Sequence, residues 1–247
     1  MIDTHAHLDA CDQPASVLVA RAREAGVRRI VTIGTGIDSC VRALELADTH
    51  PEVVAVLGID PHRATSSEAG RVEELRHLLS HPRVVGVGET GLDGYHGAET
   101  LSEQQRLFDA QLELADELGL PVVIHSRDAA SETARALEQF GGPIVLHCFS
   151  SPELLQPALE RSYYVSFAGN VTFPNAEALR TAAAAVPADR ILAETDSPYL
   201  APQPVRGRPN EPAHVVHTIA RLAEIRGETP AGLGDQIAAN AAAVFGS

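Results

Sequence analysis

Eight short apolar, β-branched runs recur along the chain: Ile2–His7, Arg29–Gly34, Val53–Ile59, Val84–Glu89, Val122–His125, Ile144–His147, Tyr163–Phe167 and Ile191–Glu194. Nearly all are continuous rather than alternating, which is the pattern of strands covered on both faces. Helix-period stretches separate most of them. The clearest spans Ser102 to Leu118. There Ser102 and Gln105 have capping-box spacing, Leu107, Phe108, Gln111, Leu112, Ala115 and Leu118 form a stripe, and Gly119 supplies the stop. A second helix is predicted after Asp12-Gln13-Pro14, with Asp12 as cap and Pro14 in the first turn. A third follows Asp38 and carries Val41, Leu44, Leu46 and Ala47, and Thr229-Pro230 opens the last. Eight strands alternating with helices in 247 residues predict an α/β fold, a (β/α)8 TIM barrel forming one domain over residues 1–247. The alternative, a doubly wound open sheet, usually carries a Gly-rich fingerprint after its first strand. Here that strand ends in His5-Ala6-His7-Leu8-Asp9.

Composition narrows the classes. Hydrophobic residues make up 45%, which supports a packed core, and with no Trp and 4% aromatics that core is Val, Leu, Ile and Ala. No apolar run approaches the roughly 20 residues of a spanning helix, so no membrane partner is expected. The opening segment lacks a basic stretch followed by an apolar one, so no leader peptide is expected. Cys11, Cys40 and Cys148 form no Cys-x-x-Cys pair, and their odd number fits the reducing cytoplasm. The 19 basic residues are all Arg. That excludes a Schiff-base lysine, a Walker-type phosphate lysine and a carbamylated lysine between two metals. A formal net charge of −14 argues against a surface that grips nucleic acid everywhere, while leaving room for a positive cleft.

The ionisable residues gather at strand ends. His5 and His7 end the first strand, Asp60 and His62 follow the third, and Glu89 and Asp93 end the fourth. His125, His147 and Asp196 end the fifth, sixth and eighth. Each alone has an ordinary reading: a satisfied buried histidine, a helix cap, a turn before Pro198. Together they do not, because ionisable groups next to apolar runs are costly unless paired or bound to metal, and in a barrel these ends converge on one face. Four imidazoles and two carboxylates, His5, His7, Glu89, His125, His147 and Asp196, suit two divalent ions about 3.5–4 Å apart with one carboxylate bridging. Such donors admit Zn, Ni, Co, Mn or Mg. Arg63, Arg127, Arg206 and Arg208 lie after strand ends and can add positive charge to that face. Cys148, one residue past His147 on a strand, is expected to face away and pack under a helix.

These motifs resemble the TatD family of metal-dependent deoxyribonucleases, amidohydrolase-like TIM barrels, over nearly the whole chain. The resemblance is carried by Asp3-Thr4-His5-Ala6-His7-Leu8-Asp9, Gly88-Glu89-Thr90-Gly91-Leu92-Asp93, His125-Ser126-Arg127, His147-Cys148-Phe149, Glu194-Thr195-Asp196-Ser197-Pro198 and Arg206-Gly207-Arg208-Pro209-Asn210-Glu211-Pro212. It implies metal-dependent, often exonucleolytic hydrolysis of DNA. It also implies that His5, His7 and Asp196 hold one ion, His125 and His147 the other, and that Glu89 bridges them. His62, Arg127 and Arg206 would lie near the scissile phosphate. Three positions depart from the family pattern. Asp60 stands where Gly-x-His-Pro-His has its first His, Ser151 replaces a Gly, and Gly94-Tyr95-His96 replaces a pair of aromatics. A carboxylate at position 60 repels phosphate or recruits another cation.

The leading expectation is a two-metal phosphodiesterase acting on DNA, single-stranded or at 3′ ends, as a cytoplasmic monomer. Asp196 would bind metal and accept the proton of the attacking water, Glu89 would be the shared catalytic carboxylate, and His62 and Arg127 would stabilise developing charge. Asp60 and the acidic surface motivate an alternative, an amidohydrolase-type enzyme for small esters, lactones or phosphoesters. A non-enzymatic metal-holding partner protein ranks last, because it needs no six converging ligands.

Overall fold

A computed structural model describes residues 1–246. Eight parallel strands form one sheet in chain order: β1 (Ile2–Ala6), β2 (Arg29–Thr35), β3 (Val53–Gly58), β4 (Val84–Asp93), β5 (Val122–Arg127), β6 (Ile144–Leu146), β7 (Tyr164–Phe167) and β8 (Ile191–Ala193). The ring closes through a parallel bridge between Ala6 and Ser197, with Asp196 N–H donating to His5 O at 3.0 Å and His7 N–H to Ser197 O at 2.8 Å. Asp3 staples the same seam, accepting both the backbone N–H and the hydroxyl of Thr195 at 2.8 and 2.6 Å. The predicted TIM barrel is therefore the fold. Helical segments fill the connections: α1 (Ala15–Glu24), α2 (Ile37–Thr49), α3 (Val72–Leu79), the single turn α4 (Gly94–Gly97), α5 (Leu101–Leu118), α6 (Ala130–Ala136), α7 (Leu155–Glu160), α8 (Glu177–Ala185), α9 (Val215–Arg226) and α10 (Pro230–Phe245). Among the described residues no helix is long and apolar enough to cross a membrane.

The continuous apolar runs are buried on both faces, as their pattern requires: β3 is buried along its whole length, between the barrel interior and the helical layer. β4 is longer than its apolar run because it stays paired with β5 to the rim, where Asp93 lies opposite Arg127. At the site end β3 and β4 approach so closely that a Cβ on Gly58 would lie 2.6 Å from the Gly88 carbonyl carbon. Only glycine permits that contact, which seats Glu89 at the barrel mouth.

Helix termini are where local reading fails. The Ser102–Gln105 capping box does not form: α5 begins one residue earlier, at Leu101, and Ser102 Oγ donates instead to Glu103 Oε2 at 2.8 Å. Asp12 does not cap α1, whose first turn is set by Pro14 with no side-chain cap. α2 starts before Asp38, and its leading N–H, on Ile37, is satisfied by Glu68 Oε2 at 2.7 Å from a distant loop. Val41 and Leu118, assigned to apolar stripes, are exposed. Thr229 does cap α10, accepting from Gly232 N–H at 3.1 Å.

Two buried glutamines two turns apart on α5 fix the ends of β3 and β4. Gln104 Oε1 accepts Asp93 N–H at 2.7 Å while its Nε2 donates to Asp93 O at 3.1 Å. Gln111 Oε1 accepts Ile59 N–H at 2.8 Å while its Nε2 donates to Ile59 O at 2.9 Å and to Thr90 Oγ1 at 2.8 Å. Both are polar anchors inside a stripe that reads as apolar. Gln111→Leu keeps the volume but strands several buried polar groups, each worth about 1–3 kcal/mol, so a net loss of about 2–4 kcal/mol is expected. Chemical denaturation of the purified variant checks it, and a change under about 0.5 kcal/mol, the scale of an ordinary surface substitution, would show that the anchor carries no load.

Candidate metal centre

The strand ends surround a cavity of about 770 Å³ whose lining includes His7, Asp60, His62, Glu89, Asp93, His125, Arg127, His147 and Asp196. His5 lies beneath, fully buried. β1 delivers His5 and His7 two residues apart, so their rings turn to the same side. β4 and β5 deliver Glu89 and His125, while His147 and Asp196 sit just past β6 and β8.

Glu89 divides its oxygens between two clusters. Oε2 lies 3.4 Å from His5 Nε2 and 3.7 Å from His7 Nε2. Asp196 Oδ1 joins them, 3.3 Å from His7 Nε2 and 3.9 Å from His5 Nε2. Oε1 lies 2.8 Å from His125 Nδ1 and 2.9 Å from His147 Nε2. His5 Nε2 and His7 Nε2 are only 3.2 Å apart. Two imidazole nitrogens at that distance share at most one hydrogen, and otherwise their lone pairs oppose each other. A cation between them removes the conflict, so the donor set fits a divalent ion of the Zn, Ni, Co or Mn kind. Three groups of the described residues could hold an ion: His5, His7 and Asp196; His5, Glu89 and His147; and His62, Asp93 and His125.

Charges in the metal-free site follow from this geometry. Burial and the stacked His147 ring, 3.9 Å away, hold His5 below the usual imidazole value. Burial opposes protonation of the other three rings as well, but their carboxylates prevail. Asp196 and Glu89 raise His7, the bonds to Asp93 and Glu89 push His125 up to about 9, and Glu89 and Glu194 hold His147 well above its usual value. Conversely, although burial penalises their charge, His147 and its neighbours hold Glu89 well below the carboxylate range, and His7 lowers Asp196.

Two residues outside the expected ligand set orient it. Glu194 Oε1 contacts His147 Nδ1 at 3.1 Å and accepts Cys148 N–H at 2.9 Å, and Asp93 Oδ2 faces His125 Nε2 at 3.0 Å. Each carboxylate turns the opposite ring nitrogen toward Glu89, the arrangement that fixes tautomers in metal sites. Glu194 stands inside the last apolar run and Asp93 four residues past Glu89, a signal for burial without a signal for partner. Of the residues expected near substrate, Asp60, His62 and Arg127 line the cavity, with the Arg127 guanidinium 4.0 Å over the Tyr95 ring. Arg206 does not join them. The turn Gln203–Val205 carries it outward, where it stacks 4.1 Å from the Phe173 ring centroid. Arg208 also lies outside the cavity lining, whereas Arg63 and the unforeseen Arg42 belong to it. Cys148 does not pack under a helix: β6 ends at Leu146, and a left-handed φ of 42° turns Cys148 into the cavity wall.

Comparison with known proteins gives a consistent answer. The family described as TatD related DNase matches residues 2–246. The metal-dependent hydrolase YabD of Bacillus subtilis is 34% identical over 92% of this chain and 91% of its own. The 3′-5′ ssDNA/RNA exonuclease TatD of Shigella flexneri is 36% identical over 93% of this chain and 92% of its own. Among solved structures, the TatD homolog YjjV of Escherichia coli K12 superposes with a TM-score of 0.94 at 30% identity, covering 100% of this chain and 98% of that one.

Proposed function

The chain belongs to the TatD-related DNase family of metal-dependent hydrolases, and from that premise we propose that it cleaves DNA phosphodiester bonds from 3′ ends with two divalent ions. The observation that carries this reading is Glu89, whose two oxygens serve two separate donor clusters at the floor of one open cavity. His5, His7 and Asp196 would hold one ion, His125 and His147 the other, with Glu89 common to both. Divalent ions held there supply Lewis-acid activation of water and offset the charge of the phosphate. The protein does the rest. Arg127 and His62, on the cavity wall, bind the non-bridging phosphate oxygens and stabilise the charge that develops on them. Asp196 accepts the proton of the attacking water. Asp93 and Glu194 keep the His125 and His147 rings from rotating. An acidic protein thereby offers nucleic acid one positively biased cleft.

The test is a 5′-labelled single-stranded DNA incubated with the metal-reconstituted protein beside Arg127→Ala. The wild type should shorten the strand. The variant should lose a charge-assisted bond of about 1.5–3 kcal/mol, a drop in kcat/KM of roughly 10- to 100-fold. DNA left intact with Mg, Mn, Zn and Co, both ions confirmed bound, sinks the reading. Turnover of small phosphodiesters with intact DNA would favour the small-molecule hydrolase, for which the Asp60 carboxylate in the cavity wall is the specific support.

A further inference from the structure

The protein has four Tyr, six Phe and no Trp. Among the described residues only two of these rings are exposed, Tyr199 at 56% and Tyr95 at 61%, and the rest are buried or half-buried. Both exposed rings stand at the barrel mouth. Tyr199 follows β8 and lines the cavity, where its ring meets that of His7 edge-on, the centroids 5.8 Å apart at 69°. Tyr95 lies in the turn α4 after β4, with the Arg127 guanidinium of β5 4.0 Å from its ring centroid. β8 and β1 meet at the seam of the ring, and β4 pairs with β5 half a circuit away. The two tyrosines therefore stand on opposite sides of the mouth, with the metal centre between them. Their backbones are pinned. Tyr199 N–H donates to Asp196 O at 2.8 Å, and Tyr199 O accepts Asn210 Nδ2 at 2.5 Å. The turn that carries Tyr95 is capped by Asp93 Oδ1, which accepts His96 N–H at 2.7 Å, and Gln104 holds the Asp93 backbone.

We propose that Tyr199 and Tyr95 are stacking platforms for unpaired nucleobases on the two sides of the scissile phosphate, and that they select single-stranded nucleic acid over duplex. The inference rests on the phosphodiesterase reading above and names its substrate class. The charged groups of the cavity address phosphate, and phosphate contacts do not read the bases. Aromatic faces do, because a base reaches a Tyr ring only after it has left its pairing partner and its stack. Every base has a π-face, so the selection is for strand state rather than sequence. Tyrosine suits the rim, since its body is apolar and its hydroxyl stays wet. A formal net charge of −14 also denies this protein a general attraction for phosphate, and stacking supplies affinity that does not depend on net charge. At Tyr95 the guanidinium of Arg127 covers part of the ring and the 61% exposure leaves the rest to solvent. A base placed there lies beside the phosphate that Arg127 binds.

A double-mutant cycle between protein and substrate decides the matter. The metal-reconstituted full chain receives single-stranded DNA with an abasic residue in place of the 3′-terminal or the penultimate nucleotide, beside Tyr199→Leu and Tyr95→Leu. In the wild type each missing base should lower kcat/KM by roughly 5- to 150-fold, the range of one base–aromatic stack. Each Leu variant should abolish one of the two penalties, a different one in each. Tyr199→Phe and Tyr95→Phe keep the ring faces and should keep both penalties. A tyrosine that only packs beside His7 or Arg127 would slow every substrate alike on substitution and leave the penalties intact. Penalties absent from the wild type, or persisting at full size in both Leu variants, therefore overturn the proposal. If the wild type shortens ordinary DNA in that case, this inference fails alone. A wild type that shortens no strand brings down the phosphodiesterase reading beneath it. Both rings are exposed, and an unchanged melting temperature confirms that each variant is folded.

Discussion

Glu89→Ala will lose hydrolysis by at least about 10³-fold and will hold fewer divalent ions than the wild type. The reason is the division of its oxygens: Oε1 is 2.8 and 2.9 Å from His125 and His147, and Oε2 is 3.4 and 3.7 Å from His5 and His7. Four imidazoles therefore depend on one buried charge. Removing one partner of a buried charge pair costs about 3–5 kcal/mol, which is roughly 10² to 10³·⁵ in a rate or a binding constant. Here one substitution strips a ligand from both clusters, so the loss falls at or beyond the upper end. Glu89→Gln separates charge from shape, since it keeps the volume and one carbonyl oxygen. It should fail nearly as badly, because an amide cannot present an acceptor to both clusters. Steady-state kinetics on the DNA substrate, with metal content measured on the same samples, reads both outcomes. Glu89→Gln activity within tenfold of the wild type would mean that the carboxylate is a structural counter-charge and that the ions, if bound, do not share it.

The barrel and most of the site are legible in the sequence for one physical reason. A strand buried on both faces must be apolar, so an ionisable residue immediately after such a run marks the point where the strand reaches the rim. His125 after Val122-Val123-Ile124 and His147 after Ile144-Val145-Leu146 are read directly in this way. What escapes is non-local. The Ile37 N–H is capped by Glu68, thirty-one residues away, and no local pattern around Asp38 encodes that. Arg206 carries the right charge in the right motif, but a turn and the Phe173 ring set its direction. Glu194 and Asp93 read as strand-end acids. Which ring nitrogen they face is settled only when β7, pairing with both neighbours, brings the end of β8 within reach of the end of β6, and when β4 pairs with β5.

The affinity of the metal-free protein for divalent ions will rise by up to about tenfold per pH unit from pH 6.5, levelling off toward pH 9 as far as His125 sets it. His125 carries a proton up to about 9 in the metal-free site, because its bonds to Asp93 and Glu89 outweigh the burial that opposes the charge. An ion on Nδ1 must expel that proton. His7 and His147 are shifted in the same direction and steepen the dependence, whereas Glu89 and Asp196 are already ionised and add nothing to it. The same proton has the opposite effect on the metal-free fold. The His125 value is raised above the 6.5 of an ordinary imidazole, so its stabilisation is fully present below pH 6.5 and lost as pH rises through 9. Over that window the metal-free protein should weaken by about 2–3 kcal/mol from this group. The metal-loaded protein should not, because its imidazoles are already deprotonated. The gap between the two melting temperatures should therefore widen with pH. Co²⁺ isotherms and paired melts at pH 6.5, 7.5 and 8.5 test both halves at once. An affinity that stays flat across the window would mean that no imidazole proton is displaced, and that these rings are not the ligands.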